Sequence, residues 1–117
     1  MANPKLIWRD NQPIYRQITD IIIGRILDET YPEGELLPSV RQVAEEFDVS
    51  PLTAAKVFQE LYKENLTFKR RGIGAGVMTG SRSDLLQRER SKFMETDWPR
   101  ILERMRQLDI NLEDLIT

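Results

Sequence analysis

Two serine-capped helical segments joined by a tight turn, with a basic, glycine-rich hairpin directly behind them, predict a mainly α fold with a small β-hairpin. In full, the expectation is a winged helix-turn-helix followed by a short two-helix C-terminal segment. The boundaries read from the sequence are residues 1–80 for the first part and 81–117 for the second.

The first helix begins at Pro13, whose missing N–H costs nothing in a first turn, and runs to about Glu29. Ile14, Ile18, Ile21 and Ile22 form its main stripe, while Ile23 and Leu27 fall on another side. Each such side chain gains roughly 1.5 to 3 kcal/mol on burial, so the helix is expected to be covered from two directions. Leu6-Ile7-Trp8 ahead of it suggests a short strand beside the wing.

Ser39 begins the second helix. It is placed to accept the N–H of Gln42 while Gln42 reaches back, the capping-box relation, and Val40, Val43, Ala44 and Phe47 supply an apolar stripe. Asp48 tolerates a left-handed turn, and Ser50-Pro51 restarts the chain with an N-cap and a proline in the first turn. In the third helix Ala54, Val57, Phe58 and Leu61 share one face. Leu52, Lys56, Gln59 and Lys63 share the other. A helix-turn-helix sets the start of its second helix against base edges, here Ser50, Leu52, Thr53 and Lys56. Capped amphipathic pairs also occur in domains that bind no nucleic acid, so this segment alone leaves both readings open.

Residues 66–78 alternate partly in period two, turn through glycines and resume apolar character, the pattern of a hairpin. Lys69, Arg70 and Arg71 lie beside Gly72 and Gly74, where cations and a slim backbone can approach phosphates or a minor groove. Three adjacent cations are more often a solvated turn. Their place just after a helix-turn-helix favours a wing.

Four segments, Pro13-Ile14-Tyr15-Arg16-Gln17-Ile18, Gly34-Glu35-Leu36-Leu37-Pro38-Ser39-Val40-Arg41, Val49-Ser50-Pro51-Leu52-Thr53 and Arg71-Gly72-Ile73-Gly74, resemble the winged-helix domain of the GntR family of bacterial transcription regulators in order and spacing. Pro51, where most of that family carries arginine, and the short C-terminal segment resemble its YtrA-type subfamily. The resemblance implies that Arg41, Ser50, Leu52, Thr53, Arg71 and Gly72 contact operator DNA. Ser39 at the cap before Arg41, Lys56 on the outer face and Arg70 in the wing complete the candidate DNA-binding set. The chain departs from the family pattern at Ala54 (usually valine), Asn65 (usually glycine) and Gly76 (usually bulky).

In residues 82–117, Met94, Trp98, Ile101, Met105 and Leu108 repeat at spacings of four and three, the stripe of a helix that packs on another. Pro99 implies either a kink or a fresh start capped by Thr96 or Asp97. Asp109-Ile110-Asn111 reads as a stop and a new N-cap, with Leu112, Leu115 and Ile116 giving a last short helix. Those five residues of the stripe are the candidate dimerisation set. A hairpin this small must bury its stripe on its own winged helix or on a second copy. Members of the resembled family dimerise through this region, which implies a homodimer on palindromic double-stranded DNA, probing one half-site per subunit, and leaves room for a small-molecule effector of unknown identity.

Composition narrows the alternatives. The 117 residues, 40% hydrophobic, suffice for one modest core and an appendage. A net charge of -2 gives no global attraction to DNA, so local placement has to supply it. Residues 1–82 hold 11 Lys+Arg and 11 Asp+Glu, the remainder 6 and 8, so the acidic excess lies in the tail. The sequence contains neither Cys nor His, which removes disulfides, thiol chemistry, histidine general bases and the usual zinc ligands. Gly72-Ile73-Gly74-Ala75-Gly76 lacks both the spacing and the following helix of a nucleotide loop. No enzyme activity and no cofactor are expected. Ile21-Ile22-Ile23 is too short to span a bilayer and no signal-peptide core precedes it, so a cytoplasmic protein without a membrane partner is expected. A winged helix used as a protein-interaction module is the alternative to a repressor.

Overall fold

The computed structural model describes residues 8–116 of the chain, which divides into two compact units at Arg82 and Ser83. In the first unit α1 (Ile14–Leu27), α2 (Val40–Phe47) and α3 (Pro51–Lys63) precede a hairpin of β1 (Thr67–Arg70) and β2 (Gly74–Val77). Pro13 stands at the N-cap of α1 and offers no side-chain cap. Gln17 organises this end instead. Its amide nitrogen donates to the carbonyls of Arg9 and Gln12, both at 2.8 Å, and its Oε1 accepts the Arg9 N–H at 2.8 Å.

Ile18, Ile22, Ile23 and Ile26 are buried along α1, on more than one side of the helix as expected. Ile14 corrects the expected stripe. As the first residue of the helix it projects past the core and remains 40% exposed.

The helix-turn-helix follows its local code. Ser39 Oγ accepts the Gln42 N–H at 3.1 Å while Gln42 Oε1 accepts the Ser39 N–H at 2.8 Å, closing the capping box. Asp48 takes φ 52°, and the Val49 N–H returns to the Ala44 carbonyl at 3.0 Å, the Schellman termination. Ser50 then caps α3 through the Thr53 N–H at 3.1 Å. At the far end Asn65 takes φ 61° and the Leu66 N–H reaches the Leu61 carbonyl at 3.1 Å. Asparagine enters the left-handed region readily, so the turn forms there without glycine.

α3 packs on α1 and on α2. Ala54, Val57 and Leu61 carry that burial, and Phe58 is only half-buried. Two arginines of α1 join the helices by charge. Arg16 binds Glu64 of α3 at 2.9 Å, with Glu60 at 3.9 Å and Asp20 of its own helix at 2.8 Å. Arg25 makes a bidentate pair with Glu46 of α2, donates to the Tyr31 hydroxyl at 2.8 Å and lies 5.5 Å from the Phe47 ring centroid. The Glu46 hydrogen bonds hold its guanidinium charged more firmly than usual, against the burial that opposes it.

The hairpin pairs Thr67 with Val77, Phe68 with Gly76, Lys69 with Ala75 and Arg70 with Gly74. Its third partner comes from the loop before α2, where Leu36 bridges to Gly76 and the Leu37 N–H donates to the Ala75 carbonyl at 2.9 Å. The strand expected beside the wing at Leu6-Ile7-Trp8 falls mostly outside the described residues. Trp8, which is described, packs its ring 6.5 Å from that of Phe47.

Gly76 stands where a bulky residue is usual, and Phe68 fills its place. The Phe68 ring lies across it, so that a Cβ there would meet Phe68 Cζ at 2.3 Å and the Glu35 carbonyl oxygen at 2.9 Å. An aromatic covering a cross-strand glycine takes the place of the missing side chain.

After the hairpin come α4 (Ser81–Lys92), which runs into the second unit, and then a π-helical turn (Phe93–Asp97), α5 (Trp98–Gln107) and the short α6 (Leu112–Leu115). Of the two outcomes open at Pro99, the fresh start does not occur, since Asp97 keeps helical angles and its side chain accepts no capping N–H. The helix instead widens, with the Trp98 N–H bonding the Phe93 carbonyl five residues back. A proline ring clashes with the carbonyl four residues before it, and a five-residue turn moves that carbonyl aside. Asp109 takes φ 55° and Asn111 starts α6, its N–H bonded to Asp114 at 2.8 Å, as the stop-and-restart reading expected.

Gly76→Val should destabilise the first unit, because the Glu35 carbonyl is backbone and cannot swing away as the Phe68 ring can. Overpacking of this kind costs about 1 to 3 kcal/mol. The thermal midpoint should fall by several degrees, and an unchanged midpoint would show that the Phe68 cover does not hold the wing.

Candidate nucleic-acid interface

The residues expected at DNA occupy three places on the first unit: the start of α2, the start of α3 and the wing. Arg41 projects from the first turn of α2 with its side chain 89% exposed, and its Nε meets Glu45 Oε1 at 3.1 Å. Glu45 lies one helical turn on, so this is a surface i,i+4 ion pair. An exposed i,i+4 pair contributes about 0.3 to 0.5 kcal/mol, too little to hold the guanidinium against a phosphate.

At the start of α3, Ser50 and Thr53 face each other with their hydroxyl oxygens 3.0 Å apart. Leu52 stands 83% exposed beside them. Lys56 is exposed, one turn further on, but it does not wave freely. Its Nζ sits 4.2 Å from the centroid of the Tyr15 ring on α1.

In the wing the Ile73 N–H donates to the Arg70 carbonyl at 2.9 Å, closing a turn with Arg71 and Gly72 at its centre. Gly72 has φ 78°, the positive value that a type II turn requires at its third residue. Arg70 lies 5.4 Å from the Phe68 ring centroid, and Lys69 rests 4.5 Å from that of Tyr62 at the end of α3. Arg71 is exposed at the tip.

Tyr15, Tyr62 and Phe68 therefore seat cations of the candidate interface, and the sequence reading missed them as such. Nothing in hydrophobic periodicity distinguishes a ring that seats a cation from a ring that fills a core. Exposed cation–π contacts are worth about 0.5 to 1 kcal/mol, enough to bias where an ammonium sits and little enough to yield to a phosphate.

Charge is divided between faces. Among the described residues no carboxylate pairs with Lys56, Lys69, Arg70 or Arg71, whereas Glu46, Glu60 and Glu64 are engaged by Arg25 and Arg16. A neutral unit thereby presents a cationic side. Between the start of α2, the middle of α3 and the wing runs an open groove of about 800 Å³, walled by Leu36, Val40, Phe58 and Ile73 and edged by Lys69 and Arg71.

In the second unit the proposed stripe is redistributed. Met105 is buried and leaves the candidate dimer surface, because the Schellman turn at Asp109 returns the Ile110 N–H to the Met105 carbonyl at 2.9 Å and folds the chain back over that turn. Met94 stays on the surface, 61% exposed. The extra residue in the π-helical turn rotates the helix, and Phe93 rather than Met94 stacks on Trp98, with ring centroids 6.4 Å apart. Ile101 and Leu108 remain 40% and 49% exposed, joined by Leu102 at 46%. Trp98 is half-buried.

Neutralising Arg70 and Arg71 together should weaken binding to all duplex sequences and reduce the slope of log K against log salt by roughly 1.8, if each meets one phosphate. An unchanged slope removes the wing from the interface. Arg41→Lys gives a separate reading. A surface pair with Glu45 tolerates the change, whereas a bidentate phosphate contact loses affinity.

The fold finds counterparts among known proteins. The family described as bacterial regulatory proteins, gntR family, matches residues 14–77. The HTH-type transcriptional regulator YhcF of Bacillus subtilis is 25% identical over 109 residues, covering 93% of this chain and 88% of its own length. The HTH-type transcriptional repressor YtrA of the same organism is 29% identical over 87 residues, covering 74% of this chain and 67% of its own. Among solved structures, a GntR family transcriptional regulator from Listeria monocytogenes superposes with TM-score 0.70 at 28% identity, over 93% of this chain and 94% of that one. These relatives are regulators rather than enzymes, and the chain belongs to the GntR family of bacterial regulatory proteins, a DNA-binding transcription regulator of winged-helix fold.

Proposed function

We propose that this regulator acts as a sequence-specific repressor, binding a palindromic operator as a homodimer in the cytoplasm. The observation that carries the DNA contact is the set of cations on α3 and the wing that are seated on aromatic rings or exposed at the tip and paired to no carboxylate among the described residues. Ser39, Arg41, Ser50, Leu52, Thr53, Lys56, Arg70, Arg71 and Gly72 form its contact surface. The likeness to YtrA, a repressor, supports the sign of regulation. Among the described residues no helix is long and apolar enough to cross a membrane.

Residues 1–80 serve DNA binding in this reading and residues 81–117 serve dimerisation. Phe93, Ile101, Leu102 and Leu108 each leave two-fifths or more of their surface in water. Monomers rarely keep a contiguous apolar face of this kind, and a twofold copy would cover it.

A second reading, a protein-interaction module, is favoured by the apolar walls of the groove between α2, α3 and the wing. Salt separates the two. Affinity for random duplex DNA should fall steeply as salt rises if phosphates are neutralised, whereas a protein-binding module shows almost no such dependence.

The dimer has its own test. Ile101→Lys with Leu108→Lys should convert a dimer seen by light scattering into a folded monomer whose affinity for a two-half-site operator drops by about 100-fold or more, since the second half-site no longer binds as a tethered neighbour. A parent protein that is monomeric at micromolar concentration, both free and on DNA, would rule the assembly out.

A further inference from the structure

Resting on the sequence-specific reading above, we infer that Leu52 is a specificity-determining residue that reads the C5-methyl group of a thymine in the major groove. The first turn of α3 is the part of a helix-turn-helix that meets base edges. Here part of that turn's hydrogen-bonding capacity is engaged within the helix itself. Pro51 carries no N–H, Ser50 Oγ accepts the Thr53 N–H at 3.1 Å, and the two hydroxyls lie 3.0 Å from each other. Lys56, one turn on, has its ammonium drawn aside to 4.2 Å from the Tyr15 ring. The isobutyl group of Leu52 stands beside them, 83% exposed.

Arginine, lysine, asparagine and glutamine read bases by donating or accepting in pairs, and none of them occupies positions 51–55. The one apolar feature on a major-groove edge is the thymine methyl. A leucine at the tip of the reading turn therefore selects T·A over the other three arrangements at its step. It gains by burying the methyl and loses by setting an apolar group against polar edges wherever that methyl is missing.

The inference is tested by removing the methyl alone. An operator is first obtained by selecting bound duplexes from a randomised pool, and each thymine of one half-site is then replaced in turn by deoxyuridine, which keeps the O4 acceptor. One thymine, or two adjacent ones, should weaken binding by about fourfold, the equivalent of about 0.8 kcal/mol per buried methyl-sized group. Leu52→Ala, at an exposed position where the fold is retained, should bind the thymine and deoxyuridine operators equally, and a circular-dichroism melt verifies that it is folded. Replacing that T·A by C·G should also weaken binding, and 5-methylcytosine should restore part of the loss.

If no deoxyuridine substitution changes the affinity for the selected operator, or if the penalty persists undiminished in Leu52→Ala, the assignment to Leu52 is overturned while operator binding stands. If the pool yields no sequence preferred over random duplex, sequence-specific recognition itself fails, and the Leu52 assignment fails with it.

Discussion

The first unit is organised by α1, and in particular by the two arginines that α1 sends to the other helices. Arg16 reaches Glu64 and Glu60 on α3, and Arg25 grips Glu46 on α2. Apolar burial of Ile18, Ile22 and Ile26 supplies most of the stabilisation, but it is indifferent to small rotations of one helix on another. A forked guanidinium on a carboxylate is not indifferent, because its two donors accept only one orientation. The pairs thus add angular definition to the helix-turn-helix, and Arg25 extends it by lying over Phe47 and bonding Tyr31.

The same pairs shape the electrostatics. A unit with as many acids as bases has no net pull on a polyanion, so attraction has to come from separating the signs. Arg16 and Arg25 engage three glutamates and leave Lys56, Lys69, Arg70 and Arg71 without a carboxylate among the described residues. Within roughly a Debye length of the surface, about 8 Å at physiological salt, a phosphate senses the near cations more than the distant pairs. The tyrosine and phenylalanine rings complete the arrangement by seating cations without neutralising them.

Much of this was legible in the sequence, and the legible part is the part set by neighbours in the chain. Ser39 with Gln42, Asp48 before Ser50-Pro51, and Arg71-Gly72 in the hairpin are each decided within four residues, and each formed as read. The departures at Asn65 and Gly76 were also visible, but their consequences needed the fold. Asn65 simply adopts the left-handed turn, whereas Gly76 acquires its role from Phe68, its cross-strand partner. What escaped the sequence were pairings between distant positions: Leu36 beside the wing, Lys56 on Tyr15 and Arg16 on Glu64.

The tail shows the limit from the other direction. A four-three repeat assumes that every turn of the helix holds the same number of residues, and one widened turn breaks that assumption for everything beyond it. Pro99 forces the issue, since an ordinary α-turn would press its ring on a carbonyl that the π-helical turn moves away. The extra residue brings Phe93 onto Trp98 in place of Met94, and the reversal at Asp109 then removes Met105 from the surface. Which apolar residues of α5 and its π-helical turn face outward therefore depends on how the chain accommodates one proline. The apolar surface of this unit is a consequence of backbone geometry as much as of side-chain pattern.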